Sequence, residues 1–260
     1  MKKMFSIIIS LLLLSFFAAC GGGDKADKSA KRKARAPKAK AGYQTMAVTD
    51  GGAITGKATF TGTIPPKKKL EVTKDVNVCG KVAHKDESIV ASSDNGLANV
   101  VVKITNISKG KGMDSMGAEF SVDQNGCMFI PHVILVPAGA ELTIMNSDGV
   151  LHNIHTYSEK NDVMNVAQPG FKKKMIKVFE EEEIFRVACD VHNWMGGYFA
   201  IAGHPYHAVT GADGSFTLTD VPAGTYTLEF WQEKLGTQTV EVTVAAGGSA
   251  EANATFAIGG

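Results

Sequence analysis

From residue 43 onward the chain is written almost wholly in short alternating segments: AITGKATFTG, ANVVVKITNI, ELTIMNS, IFRVACDV, SFTLTDV, TYTLEFW and TVEVTVA. A strand points successive side chains to opposite faces, so apolar–polar alternation marks a sheet with one buried face. Clusters of Gly, Pro, Asn and Asp separate the segments and supply turns. No stretch of ten or more residues repeats its apolar positions with a helical period. The expected fold class is all-β, with the sheets closed into sandwiches.

The first 42 residues have a different character. A positive start, MKK, precedes the apolar run MFSIIISLLLLSFFAA and then Cys20. That order matches an export signal, and the run is too short and poorly flanked for a spanning helix. Ala18-Ala19-Cys20 resembles the lipobox of bacterial lipoproteins, although Phe17 stands where Leu is usual. The resemblance implies a signal peptide over residues 1–19 and lipidation of Cys20. It anchors the protein to a membrane on the periplasmic or cell-surface side. Gly21 resembles the residue of outer-membrane lipoproteins. A cleaved secretory signal with an incidental Cys is the alternative. Residues 21–42, GGGDKADKSAKRKARAPKAKAG, lack aromatics and apolar periodicity, so residues 20–42 are expected to be a disordered basic tether. The first 42 residues hold 10 Lys+Arg against 2 Asp+Glu; the remainder has 17 basic and 24 acidic residues, a net charge near −7. Such a body is not a nucleic-acid binder.

Of the four cysteines, Cys20 belongs to the leader and Cys189 to the loop discussed below. Cys79 and Cys127 remain, an even pair in an exported chain, and are expected to form a disulfide; two buried free thiols are the alternative. No CxxCH occurs, so attached haem is not indicated.

The C-terminal stretch HAVTGADGSFTLTDVPAGTYTLEFWQEKLGTQTVEVTV, with turns at Asp213-Gly214 and Val221-Pro222-Ala223-Gly224, resembles the carboxypeptidase-regulatory-like (transthyretin-like) β-sandwich. The Gly-x-x-x-Gly-x-Val-like opening strand and the later Asn/Gly-Val-x-Val strand usual in that family have counterparts far upstream, at Ala53–Ala58 and Leu97–Val102. The expectation is one sandwich from residues 50–108 and 205–258, with residues 125–203 inserted as a second. Domains in series are the simpler alternative.

The stretch CDVHNWM places a thiol, an imidazole and a thioether, Cys189, His192 and Met195, within seven residues. It ends the alternating segment EIFRVAC, and Gly196-Gly197 then turns the chain into YFAIAG. A second imidazole is available in NSDGVLHN, at His152. Thiolate, two imidazoles and a weak axial thioether are the donor set of blue-copper sites. Zinc gains little from a thioether, and its structural sites usually show paired Cys or His on both arms.

The Asn-x-Asp-x-x-x-His-Asn segment, the Cys-x-x-His-x-x-Met loop and the following Gly-Tyr-x-x-Ile strand resemble a cupredoxin. The ligand loop is amicyanin/plastocyanin-like in its two-and-two spacing. The resemblance implies a Greek-key sandwich with one copper ion on His152, Cys189, His192 and Met195, and Asn153 tying the ligand loops together. It makes His192 the ligand nearest solvent and the electron exit. Trp194 is then either part of the docking surface or packing beneath the loop. With its flanking pieces the chain resembles methylamine-utilisation-like or plastocyanin-like bacterial lipoproteins.

The function expected is that of a one-electron carrier serving redox partner proteins, not an enzyme. A single ligand loop without His-x-His pairs disfavours a multicopper oxidase or nitrite reductase. The alternatives are a copper-delivery protein and a structural or carbohydrate-binding surface lipoprotein. Of the other histidines, His84 in KVAHKDE is expected to be solvated, and His155 to face away from His152. His132, His204 and His207 are surface or core residues, or a second metal cluster. Glu180–Glu183 are expected to face Lys172–Lys174 as a charged sheet end, or as a docking patch.

Overall fold

The computed structural model describes residues 35–258. The leader and Cys20 lie outside the described residues.

Two β-sandwiches form, and the strands sort by burial period. In Gly224–Gln232, Tyr226, Leu228, Phe230 and Gln232 turn inward while the residues between them stay more exposed. This strand sits in a four-stranded sheet ordered His207–Val209, Val101–Ile104, Gly224–Gln232, Gly236–Val244. Facing it is a sheet ordered Ser215–Val221, Gly52–Phe60, Ser249–Glu251, and Ala254–Phe256 also pairs with Gly52–Phe60. Ile54, Phe60, Val102, Ile104, Leu228, Phe230 and Phe256 fill the space between.

The chain leaves this sandwich after Ile104 and returns to it at His207. What lies between builds the second sandwich. One sheet runs Asn165–Gln168, His152–Tyr157, Glu183–Ala188, Gly196–Ala202, Val133–Pro137; the other runs Lys174–Val178, Glu141–Asn146, Phe120–Gln124, Phe129–Ile130. Its core holds Val122, Leu142, Ile144 and Ile154, with the rings of Phe179, Phe185 and Phe199 in mutual contact. This sandwich starts at Phe120, earlier than the boundary expected at 125. Phe120–Gln124 pairs in parallel with Glu141–Asn146, and its buried Gln124 disguises the alternation. Where the sandwiches touch, Val101 packs with Val133 and Ala200, and Tyr198 meets Trp231 at 5.0 Å between ring centroids.

Three expectations need correction. Residues 35–42 are docked, not a loose tether: Lys38 and Lys40 donate backbone N–H groups to Ala138 and Gly203, and Lys40 pairs with Glu182 at 2.9 Å. Glu180–Glu183 do not face Lys172–Lys174, because the strands carrying the two runs lie in different sheets. Glu180 pairs with Arg35, Glu182 with Lys40 and Lys103, and the Glu183 carboxylate accepts from Ser158, Asn161 and the backbone of Glu159 and Lys160. His84 is buried at 2 % exposure, with Nε2 2.9 Å from the Cys79 carbonyl and its ring against Trp194.

Residues 61–94, after Gly52–Phe60, lie outside both sandwiches' sheets, and Asn95–Leu97 then pair with Ala58–Phe60. They contain one helical turn, Val76–Cys79, and a bridge between Lys69 and Lys85. The Cys79–Cys127 disulfide, with Cα atoms 5.3 Å apart, fastens this segment to the inserted sandwich. It covers the site described next.

Candidate metal centre

Cys189 follows the strand Glu183–Ala188, and Met195 precedes Gly196–Ala202. These strands are antiparallel neighbours, so the loop between them must reverse within seven residues. It is closed by backbone bonds: Cys189 N–H donates to the Met195 carbonyl at 3.2 Å, and Met195 N–H to the His192 carbonyl at 2.9 Å. His152 opens the strand His152–Tyr157, which pairs with Glu183–Ala188 on its other side. Sheet order therefore brings the two halves of the donor set together across 37 residues of chain.

The nitrogen His152 Nδ1 lies 2.9 Å from His192 Nδ1, and Cys189 Sγ lies 3.9 Å from the former and 3.7 Å from the latter. All three side chains are buried, as is Met195 at 2 % exposure. Each imidazole is anchored by its outer nitrogen. His152 Nε2 lies 2.9 Å from Asp148 Oδ2, and His192 Nε2 lies 2.9 Å from Asp75 Oδ2. A carboxylate only accepts, so each Nε2 carries a proton and each Nδ1 is the nitrogen turned inward to meet a cation, proton or metal. Two nitrogens and a sulfur converge on one point, short of a positive charge there.

The electrostatics express the same shortage. Burial opposes charge on His152, but the Asp148 carboxylate and the Cys189 sulfur outweigh it and push the imidazole up to about 9. Burial also disfavours the Cys189 thiolate, yet His152 and the backbone N–H groups of Asn153, His192 and Val191 hold the thiol below its ordinary value. On His192 burial wins over Asp75 and moves the imidazole down. Positive charge at the centre is thus favoured, and a soft metal ion satisfies three donors where a proton satisfies one or two. The residues present fit a transition metal that takes sulfur and imidazole.

Asn153 binds the two ligand loops together. Its Oδ1 accepts from the Asp190 backbone at 2.6 Å, its Nδ2 donates to Asn165 and Asp190, and its own N–H points at Cys189 Sγ at 3.5 Å. Trp194 packs between His192 and His84, with ring centroids 5.0 and 5.8 Å away. His192 is 0 % exposed, as is His152, and its outer edge lies against Asp75 on the disulfide-fastened segment.

Sequence reasoning missed Asp75 and Asp148. Asp148 had a signal, since it lies four residues before His152 in the segment already singled out. Asp75 had none, being 117 residues from His192.

The other histidines do other work. His155 sits 3.0 Å from both Asp190 oxygens and stacks on Tyr157. His132 bridges Glu233 and Glu87. Glu182, His204 and His207 lie close enough for a metal, but Lys40 and Lys103 already neutralise the carboxylate. His204 Nδ1 accepts the Tyr206 N–H, which leaves the proton on Nε2 and no inward lone pair. That cluster is an ion-pair network.

Comparison with known proteins adds the following. No curated protein sequence matches the chain. Among solved structures, similar ones include a purple cupredoxin from Nitrosopumilus maritimus, at 22% identity over 32% of this chain and 100% of that one, TM-score 0.28. Amicyanin from Paracoccus versutus is 15% identical over 32% of this chain and 81% of its own, TM-score 0.30. A Cu-containing nitrite reductase from Thermus scotoductus SA-01 is 16% identical over 32% of this chain, TM-score 0.30, and the match spans only 22% of the reductase. Residues 200–257, which contain the returning strands of the outer sandwich, match the family profile of the carboxypeptidase regulatory-like domain.

Proposed function

We propose that this chain is a mononuclear type 1 copper protein that carries single electrons, lipidated at Cys20 and held on the periplasmic or cell-surface side of a bacterial membrane. The carrying observation is the convergence of His152 Nδ1, His192 Nδ1 and Cys189 Sγ, with both outer nitrogens tied to carboxylates. Met195, buried in the same core, would offer copper a weak thioether as fourth donor. Copper bound there would shuttle between its cupric and cuprous states.

The chain's own contribution is to hold the donors still. Asp148 fixes one imidazole and Asp75 the other, so neither ring turns when the charge between them changes. Asn153 keeps the His152 strand and the Cys189 loop in register and directs an N–H at the sulfur. Burial excludes water from the donors. With His152, Cys189, His192 and Met195 all buried, copper held by them would be shut off from substrates, which suits electron transfer and makes the chain a carrier, not an enzyme, in this reading.

The test is the visible spectrum of the full chain after addition of Cu(II). An intense thiolate-to-copper band is expected, lost in Cys189→Ser and retained in Met195→Leu with a raised potential. A colourless protein, or colour that survives Cys189→Ser, rejects the assignment.

A further inference from the structure

The covered edge of His192 raises the question of where a partner can approach. Asp75 accepts a hydrogen bond from His192 Nε2, Trp194 lies against the ring, and the Cys79–Cys127 disulfide fastens the covering segment down. The other imidazole is equally buried and backed by Asp148, but large apolar side chains reach solvent near it. Leu151, adjacent to His152 in the chain, is 42% exposed. Phe171, at 87% exposure, is the most exposed large apolar side chain among the described residues. It occupies the tip of a tight turn in which Lys172 N–H donates to the Pro169 carbonyl at 2.8 Å.

Leu151 and Phe171 belong to one surface. Asn146 Nδ2 donates to the carbonyls of both Val150 and Gln168 at 2.9 Å, which clamps the two loops side by side. Gln168 is the sheet neighbour of His152. Gly170 lies so close to Gly149 that a Cβ on it would overlap the Gly149 carbonyl. Lys172, Lys173 and Lys174 follow, all exposed. They form a run of positive charge on a body whose net charge beyond residue 42 is near −7. Exposed large apolar groups rimmed by charge mark contact surfaces, and a lysine cluster beside them steers an anionic partner.

We propose that the Leu151–Phe171 face, with Lys172–Lys174 as its rim, is the docking surface through which the centre exchanges electrons, and that its partner is a redox protein with an acidic surface. This rests on the copper-carrier reading and moves the exit from the His192 side to the His152 side. In each encounter one electron leaves the reduced centre and the oxidant gains it, with no proton transferred.

The test uses the reduced, copper-loaded full chain and two oxidants, hexacyanoferrate(III) as anion and tris(phenanthroline)cobalt(III) as cation. The anion's rate is expected to fall with salt. It falls by about tenfold or more when Lys172→Glu, Lys173→Glu and Lys174→Glu are combined, while the cation's rate rises. Val76→Lys, a new charge on the covering segment beside Asp75, should leave both rates within about twofold. The proposal fails if Val76→Lys changes the anion's rate more than the lysine reversals do, or if the reversals change it less than about twofold. A metal-free arm separates this from the copper reading. Titration of the ¹⁵N-labelled apo chain with hexacyanochromate(III) should broaden residues 149–151 and 170–174, and broadening centred on 75–84 overturns the surface. Broadening as expected in a chain that never colours with copper keeps the surface and rejects the metal.

Discussion

Two carboxylates decide which nitrogen the His152 and His192 imidazoles turn inward, and they are not equivalent. Asp148 is nearly enclosed, its side chain 6% exposed, and also accepts the N–H groups of Gly126 and Cys127. Asp75 is 35% exposed and hangs from a segment outside both sandwiches. Carboxylates behind metal-bound histidines typically carry about 10- to 100-fold of the metal affinity. Asp148→Asn should therefore weaken copper binding by about that factor, and Asp75→Asn by less. Competition with a chromophoric chelator measures both. A larger loss for Asp75→Asn would place the main anchor on the covering segment instead. At this scale Cys189, His192 and Met195 were legible as candidate donors because three soft groups fall within seven residues, and His152 only as an imidazole 37 residues before Cys189. The carboxylates were not, since an Asp reads the same on a solvated loop as behind a ligand.

The elements show why legibility stops where it does. Strands such as Gly224–Gln232 announce themselves, because one buried face imposes a period of two on the sequence. Residues 61–94 carry no period, for they pack through isolated contacts: the Lys69–Lys85 bridge, His84 on the Cys79 carbonyl, and the disulfide. Their place over the metal centre follows from tertiary geometry alone. His84 looked solvated between lysines for the same reason. The segment's hold depends on the Cys79–Cys127 cross-link, which closes a loop over a separation of 48 residues. Constraint of a loop that long is worth about 4 kcal/mol in the chain-entropy account. The double variant Cys79→Ser/Cys127→Ser should lose about that much in denaturant unfolding of the metal-free chain. It should also speed solvent exchange of the proton shared by His192 and Asp75. A variant of unchanged stability and slow exchange would show that the non-covalent contacts suffice to hold the segment.

At the scale of the whole molecule, one side chain joins three parts. Glu182 stands just before the inserted sandwich's strand Glu183–Ala188. It pairs with Lys40 of the docked N-terminal segment at 2.9 Å, and with Lys103 and His207 of the outer sandwich at 3.7 and 3.6 Å. Burial opposes its charge, but His207 and Lys40 outweigh burial and hold the carboxyl far below its ordinary value of 4.5. A group whose folded pKa is depressed contributes stability above its unfolded pKa and loses it as pH falls toward the folded one. The link should be at full strength at neutral pH and weaken progressively below about pH 4.5. Glu182→Gln removes the charge at every pH, so the variant should melt lower than the parent at pH 7. The difference should shrink as both are taken to pH 3. Melting curves of the metal-free chain across that range decide it, since the metal centre's own titrations are common to both proteins. Parallel curves, with the same gap at pH 7 and pH 3, would mean that Glu182 contributes by packing and that its ion pairs do not join the two sandwiches.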